Sequence, residues 1–501
     1  MFSFITSRNM NYAVCLTAGT LILITLVSLF IRCFSPDIWL DEALSLHISR
    51  YGWRELLVET AIHDVHPPLY YVILKSFVDL GSAATSPCYN IFFGKLASLF
   101  ATLCCVILTG IKVYRQHGSA TAALMCALGV CAPLSTLNFG EEIRMYAWAN
   151  FFVTAAYLWA WDAIESNKRK DWSLLCLFGI LAAYTHHYAL IAIGFIHLTL
   201  FLYILLKKRD LLIRWVGCIL VSIAIYLPWF LITCSQTNRV QNHWWLATLT
   251  LSDILNCLHF CFHKSALIIT FSVLSCYILL LELYRNKQFS FRAAYLLTGL
   301  FLPLALFAAG LTISWLMRPV LVSRYLLPAL GCMWIALILG IYKSPKNSVF
   351  FLLCCIVLSI QVSFQLFSLN RSEYHAARKA YELLQLTEHI PNAALLFNRF
   401  TDAKTCLELT HADSYLLNTS RQSVTIPKYG SIDGILTDEH DIKALAGQQK
   451  TLIFAKSPSD DNLPSASFPE MNVTFVPILN KRKENAHRIN RQNFELYRII
   501  L

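Results

Sequence analysis

The sequence has 501 residues, 56% of them hydrophobic and only 14% charged, where soluble domains carry roughly a quarter charged residues. Its formal net charge of +11 is spread over short loops, with no basic stripe interleaved with aromatics, so a nucleic-acid-binding role is excluded. The 17 cysteines fall mostly inside apolar runs, as Cys104, Cys105, Cys354 and Cys355 do; cysteine there behaves as a small hydrophobe, and no disulfide framework is expected.

A bilayer core is crossed by roughly 20 apolar helical residues. Eleven stretches predict membrane spans: 12–34, 91–113, 119–138, 146–164, the shorter 172–185, 188–206, 215–234, 265–284, 293–316, 325–342 and 348–369. The first is too long for the apolar region of a signal peptide and lacks a small-x-small cleavage site, so it reads as an uncleaved helix. Alternate loops carry Lys112 and Arg115, Lys168 to Lys170, Lys207 to Arg209, Arg285 to Arg292, and Lys343 with Lys346. The positive-inside rule places those loops and the N-terminus in the cytoplasm. Two polar pieces then face outward, the loop 35–90 and the tail 370–501. The tail predicts strands at 394–398, 423–427, 451–455, 473–478 and 494–500 and a helix at 373–388. The expected fold is an α-helical polytopic membrane domain, 1–369, with a small C-terminal α/β extracytoplasmic domain, 370–501.

The first chemistry lies just past the first span, at Trp39–Leu40–Asp41–Glu42. Adjacent acids beside a membrane exit must face water, a partner or a substrate. They form either a solvated interfacial turn or a general base, which takes a proton from an attacking hydroxyl or amine. Next comes His63–Asp64–Val65–His66–Pro67–Pro68–Leu69–Tyr70–Tyr71. A residue before proline avoids the α region, so His66 is expected to end an extended stretch. The proline pair suits the first turn of a helix, whose N-terminal dipole favours an anion; the bland alternative is a surface helix capped by the histidines.

In the second outer loop, Glu141, Glu142 and Arg144 either form a structural ion pair or set the arginine to meet a phosphate. His186 and His187, between two spans, read as loop residues. The loop after residue 234 holds Trp244 and Trp245, then His259 and His263 one helical turn apart, which favours an amphipathic interfacial helix. Near the end of the ninth span, Arg318 and Arg324 flank Pro319 against the positive-inside trend. They either snorkel to head groups or clamp a leaving phosphate with their planar forks. A divalent metal remains open as a cofactor, with His63, His66, His259 and His263 as the candidate ligands.

Four of these pieces, in order, resemble the membrane-embedded GT-C glycosyltransferases, and within them the family 39 protein-mannosyltransferase-like group that includes the lipid A aminoarabinose transferases. They are Trp39–Leu40–Asp41–Glu42, His66–Pro67–Pro68–Leu69–Tyr70–Tyr71, Glu142–Ile143–Arg144–Met145–Tyr146, and Arg318 with Ser323–Arg324–Tyr325–Leu326–Leu327–Pro328. The resemblance covers residues 12–370. It implies a polyprenyl-phosphate sugar donor, transfer of a hexosyl or pentosyl group outside the cytoplasm, and a bacterial inner membrane setting. It implies Asp41 as the catalytic acid position with Glu42 at the acceptor side, and places His66, Arg144, Arg318, Arg324 and Tyr325 toward the donor phosphate. One departure is informative: the aminoarabinose transferases usually carry lysine before the proline pair, where this chain has His66. The acceptor, a protein, a lipid or a glycan, is not legible.

Two other readings compete. A transporter or flippase of lipid-linked sugar would hold its ionisable groups near the bilayer midplane, whereas these motifs cluster at one face and His197 is the main polar residue within a span. A non-catalytic membrane scaffold would act only through the tail.

Overall fold

The structure is a computed structural model that describes residues 7–35, 38–62, 64–81, 87–240, 249–262, 273, 277, 290–317, 319–342, 347–369, 392–397, 413–417, 434–436, 439–448, 450–456, 474–477 and 495–500. In chain order the helices are α1 (Ser7–Cys33), α2 (Leu40–Arg50), α3 (Trp53–Ile62), α4 (Leu69–Gly81), α5 (Pro87–His117), α6 (Ala120–Cys131), α7 (Leu134–Asn138), α8 (Tyr146–Glu165), α9 (Arg169–Ala183), α10 (His187–Lys207), α11 (Leu212–Val240) and α12 (Leu251–Phe262). They continue with α13 (Phe291–Leu316), α14 (Leu327–Tyr342), α15 (Asn347–Leu369) and α16 (Glu439–Ala446).

Among the described residues, 6 helices are long and apolar enough to cross a membrane: Asn9–Cys33, Asn90–His117, His187–Lys207, Arg209–Thr237, Phe291–Leu316 and Ser323–Tyr342. The chain is an integral membrane protein. The expected spans 146–164 and 172–185 are the helices α8 and α9. The expected span 119–138 is interrupted: α6 stops at Cys131, and Pro133, which has no N–H to continue the ladder, precedes the short α7. Of the expected span 265–284 only residues 273 and 277 are described, both helical, and the strand 423–427 and the helix 373–388 lie outside the described residues.

The chain divides into two compact units, residues 1–34, 53–77 and 94–371 in the first, and 35–52, 78–93 and 372–501 in the second. At the centre of the first is α14, whose residues Leu327 to Ile341 are all buried. A helix apolar on every side is enclosed on every side, and α14 packs against α6, α8 and α13. Small residues let these helices approach closely. A Cβ on Gly331 would run into the Thr154 and Asn150 side chains of α8, and one on Gly299 of α13 would meet the Tyr157 hydroxyl at 2.6 Å.

The second unit contains α2 and a 6-stranded sheet. Its strands are β1 (Ala393–Phe397), β2 (Asp413–Leu417), β3 (Gly434–Leu436), β4 (Thr451–Lys456), β5 (Thr474–Pro477) and β6 (Glu495–Ile500), in the spatial order β3-β2-β1-β4-β6-β5. The first four are parallel, with Leu396 opposite Tyr415 and Phe454, and β6 joins β4 and β5 antiparallel. Ala394 to Phe397 are all buried, the continuous apolar run that a central parallel strand needs. Helix α16 packs Ile442 and Leu445 onto Leu396, Leu452, Phe454 and Ile499.

Candidate functional site

The first unit gathers a polar cluster from four connecting loops and the ends of the helices they join. The loop between α3 and α4 carries Asp64 and His66. It is a bend rather than the extended stretch expected before Pro67, because it is tied at several points. Gln236 of α11 donates to the carbonyls of Thr60 at 2.9 Å and Asp64 at 3.1 Å. His187 Nε2 donates to Val65 O at 2.8 Å, and Leu69 N–H donates to Tyr184 O at 3.1 Å. That last bond uses the first amide of α4, so the expected anion site at this helix start is partly closed.

Within the loop, Asp64 Oδ1 accepts from Val65 N–H at 2.7 Å and from His66 Nδ1 at 3.1 Å. A carboxylate only accepts, so Nδ1 of His66 carries the proton. Burial pushes the Asp64 carboxyl up, but the His66 charge and hydrogen bond, the Tyr71 hydroxyl and the Arg144 charge together hold it down at about 2. Burial and the same aspartate push the Tyr71 hydroxyl far above its ordinary value, so it stays protonated.

The second contribution is the loop 139–145. Ser98 and Thr102 of α5 donate to the carbonyls of Glu142 at 2.5 Å and Gly140 at 3.0 Å, which fixes the loop on that helix. Arg144 is buried, and its charge acts on Asp64, Tyr71 and His186. Of the two readings offered for the acids here, Glu141 takes the structural one, pairing with Arg32 of α1 at 2.6 Å.

The third contribution is the short helical turn Ser323–Leu326, which precedes α14. Arg324 Nε donates to the Tyr146 hydroxyl at 2.9 Å, and one helical turn further along α8, Asn150 Oδ1 accepts from Gly331 N–H at 3.1 Å. Two bonds from α8 thus set the height of the arginine. Tyr188 of α10 donates to Val320 O at 3.1 Å and holds the segment leading into the turn. Helix α12 packs on the turn, with Cys257 and Cys261 buried and Leu251, Leu255 and Leu258 exposed, an amphipathic helix as the sequence predicts.

At the centre stands His186, which the sequence reading passed over as a loop residue. Its ring lies 5.8 Å from His66, 5.7 Å from Tyr146, 5.1 Å from Tyr325 and 6.0 Å from Tyr188, centroid to centroid. Its Nδ1 accepts from Tyr188 N–H at 3.1 Å. Burial, with the charges of His66, His187, Arg144 and Arg324 around it, keeps the imidazole well below its ordinary value. His186 is therefore neutral, with its proton on Nε2.

The arrangement brings together His66, Arg144, Arg324 and Tyr325 of the expected residues, and adds Asp64, Tyr146, His186 and Tyr188. Cations, N–H donors and aromatic rings outnumber carboxylates here, which suits an anion carrying an apolar or sugar group. Arg318, His63 and His263 lie outside the described residues. His259 sits on α12, away from these ring contacts. Among the described residues no three histidine, cysteine, aspartate or glutamate side chains come together as a metal site. Asp41 and Glu42 belong to the second unit, in the first turn of α2. There Glu42 is buried and its Oε2 accepts from Trp39 N–H at 3.0 Å, capping the helix, while the Asp41 carbonyl accepts from Ser45 Oγ at 2.8 Å.

No sequence-family model matches the chain, and no characterised protein matches it by sequence. Its fold is similar to the crystal structure of ArnT from Cupriavidus metallidurans bound to undecaprenyl phosphate, with a TM-score of 0.58 at 12% identity, over 96% of this chain and 97% of that one. The apo structure of the same protein matches with a TM-score of 0.50 at 13% identity, over 96% of this chain and 98% of that one. The chain has the GT-C fold of a polytopic membrane protein, shared with ArnT along nearly its whole length.

Proposed function

We propose that the protein is a membrane glycosyltransferase that takes a sugar from a polyprenyl-phosphate carrier and passes it to an acceptor on the extracytoplasmic face. The observation that carries this reading is the cation-rich, aromatic-walled cluster of Arg144, Arg324, His66 and His186, in a fold whose relative has been crystallised with undecaprenyl phosphate.

In the proposed reaction an acceptor hydroxyl or amine attacks the anomeric carbon of the donor sugar. A new bond forms to that carbon and the bond from the carbon to the phosphate oxygen breaks, its electrons leaving with the phosphate. The acceptor proton passes to the Asp41 carboxylate. Arg144, Arg324 and His66 neutralise the charge that builds on the departing phosphate, which is where electrostatic preorganisation contributes most. Tyr325 and, beyond the described residues, Arg318 are assigned to the same phosphate, and Glu42 to the acceptor side. No step is routed through a metal.

The test is to remove the protein from its cell and measure lipid-linked sugars by mass spectrometry. Accumulation of one polyprenyl-phosphate sugar names the donor. An unchanged lipid profile, together with unimpaired transfer by the Asp41→Asn variant, overturns the proposal; that substitution is expected to lower transfer by about 10²–10⁴-fold while donor binding persists.

A further inference from the structure

The helices that begin at the polar cluster have a second charged site at their other ends. Helix α8 runs from Tyr146 in the cluster to Glu165, and α10 from His187 to Lys207. At 1.5 Å per residue each is about 30 Å long, the thickness of a bilayer core. At the far ends, the last turns of α8 and α10 and the first turn of α13 enclose a cleft of about 540 Å³. Three cations, Lys207, Lys208 and Arg292, line it against one acid, Glu165, and the rings of Trp161, Tyr203 and Phe291 complete the lining. We infer that this cleft binds the head group of an anionic phospholipid, and that the lipid braces α8, α10 and α13 at that face of the membrane. The inference goes beyond the transfer reaction and does not depend on the donor reading.

Two of the three cations are tied to backbone. Lys208 Nζ donates to Ile164 O at 3.0 Å, joining the end of α10 to the end of α8. An Arg292 terminal nitrogen donates to Leu339 O at 2.8 Å, joining α13 to α14. Ser290 Oγ accepts from Ala293 N–H at 3.2 Å and caps α13, which fixes where that helix, and Arg292 with it, begins. The Phe291 ring lies 5.3 Å from Trp161 and 5.1 Å from Tyr203, centroid to centroid, so the aromatic side of the cleft is one continuous apolar surface. Cations on one side and rings on the other suit a molecule that is charged at its phosphate and apolar just below it, the form that basic pockets between transmembrane helices take for lipid head groups. A soluble phosphate would meet the same cations, but two features favour the lipid. Leu198, Leu202 and Leu206 of α10 are exposed, a stripe of four-residue spacing that ends one residue before Lys207 and offers a track for an acyl chain. Glu165 can only accept hydrogen bonds; it suits a head-group hydroxyl and repels the second charge of a phosphate monoester. Lys168, Arg169 and Lys170 lie at the same end of the helices, the face that the positive-inside pattern assigns to the cytoplasm, where anionic lipids are concentrated.

The experiment places the full-length protein in nanodiscs of phosphatidylcholine containing a graded fraction of phosphatidylglycerol and follows its unfolding temperature. A ligand that binds only the folded state raises that temperature and saturates, so the fraction at half-saturation reports the affinity. The wild type is expected to show such a saturating rise. Lys207→Gln should weaken the affinity about 5-fold, the worth of one lysine beside an anionic lipid, and Lys207→Gln with Arg292→Gln about 25-fold. Lys170→Gln removes an exposed cation at the same end of the helices but outside the cleft, and should change the affinity by less than about 2-fold. Inorganic phosphate and glycerol 3-phosphate, added to nanodiscs of phosphatidylcholine alone, should leave the unfolding temperature where it was. Lys207 is exposed, so its single variant is expected to unfold with the wild type in phosphatidylcholine and decides the matter even where the double variant does not fold. An unfolding temperature indifferent to phosphatidylglycerol overturns the site. Equal losses for Lys170→Gln and Lys207→Gln also overturn it, because they report attraction to the basic face as a whole. A rise produced equally by the soluble phosphates overturns the lipid as the occupant.

Discussion

Two groups of buried charge occupy the loops of the first unit, and they are built on opposite plans. Arg32 and Glu141 meet at 2.6 Å, one cation against one carboxylate, with side chains 12% and 6% exposed. Burial lifts the Glu141 carboxyl above its ordinary value in spite of Arg32 and Lys95, so the pair does little beyond neutralising itself and tying α1 to the loop 139–145. The other group sets Arg144, Arg324 and His66 near Asp64, with the neutral His186 among them. The rings of Tyr146, Tyr188 and Tyr325 stand at contact distance around that histidine. Both groups contain an arginine, yet only the second surrounds it with aromatic rings and N–H donors. The surroundings of the arginine, more than its presence, are what the proposed phosphate site rests on.

Substitutions on the two sides should cross in their effects. Arg32→Ala leaves a buried carboxylate unpaired and is expected to lower stability by about 3–5 kcal/mol, read as a fall in the unfolding temperature in detergent, with the affinity of the folded fraction for undecaprenyl phosphate unchanged. A loss of affinity without a loss of stability would dissolve the distinction. Arg324→Ala should do the reverse, weakening that affinity about 10- to 100-fold. Arg324→Lys should recover little of it, since an ammonium reproduces neither the planar fork nor the bond to Tyr146.

Gly331→Ala probes the scaffold beneath the open cluster. The added methyl must displace Thr154 or Asn150, at about 1–3 kcal/mol for overpacking, and by shifting α14 along α8 it should lower affinity as well as stability. The smallest effect concerns acid. The folded Asp64 carboxyl lies at about 2 against an ordinary 3.8. Its contribution to stability is therefore complete above 3.8 and lost as pH falls from there toward 2. The stability difference between wild type and Asp64→Asn should shrink across that window; a constant difference would contradict the Asp64–His66 pairing.

Much of the membrane part was legible because it rests on a long-range regularity. Runs of apolar residues near 20 long, broken by basic loops, locate helices such as α1, α10 and α13 without reference to partners. The break at Pro133 was hidden because the residues on both sides are apolar, and only the missing N–H ends the helix. In the tail, the apolar runs at 394–398 and 451–455 announced the central strands β1 and β4, while β2, Asp413–Leu417, opens on two polar residues and β3, Gly434–Leu436, is only 3 residues long. Within the site, Arg144, Arg324 and His66 stood out by being charged in apolar surroundings. His186 and Tyr188 did not, since their meaning lies in ring contacts with Tyr325 and His66, which are distant in sequence. Asp64 carried a usable hint: an acid two residues before a histidine that precedes a proline pair can reach that imidazole once the backbone bends.

The edge of the tail sheet has a consequence for how that domain assembles. In the described sheet, β5 has β6 as its one bonded neighbour, and β6 in turn lies between β5 and β4. The later strand must therefore dock before the earlier one has an edge to join. Shortening the chain ahead of residue 495 would strand residues 474–477 as an unpaired apolar segment, prone to self-association, so a truncation of only a few residues would be felt some twenty positions upstream.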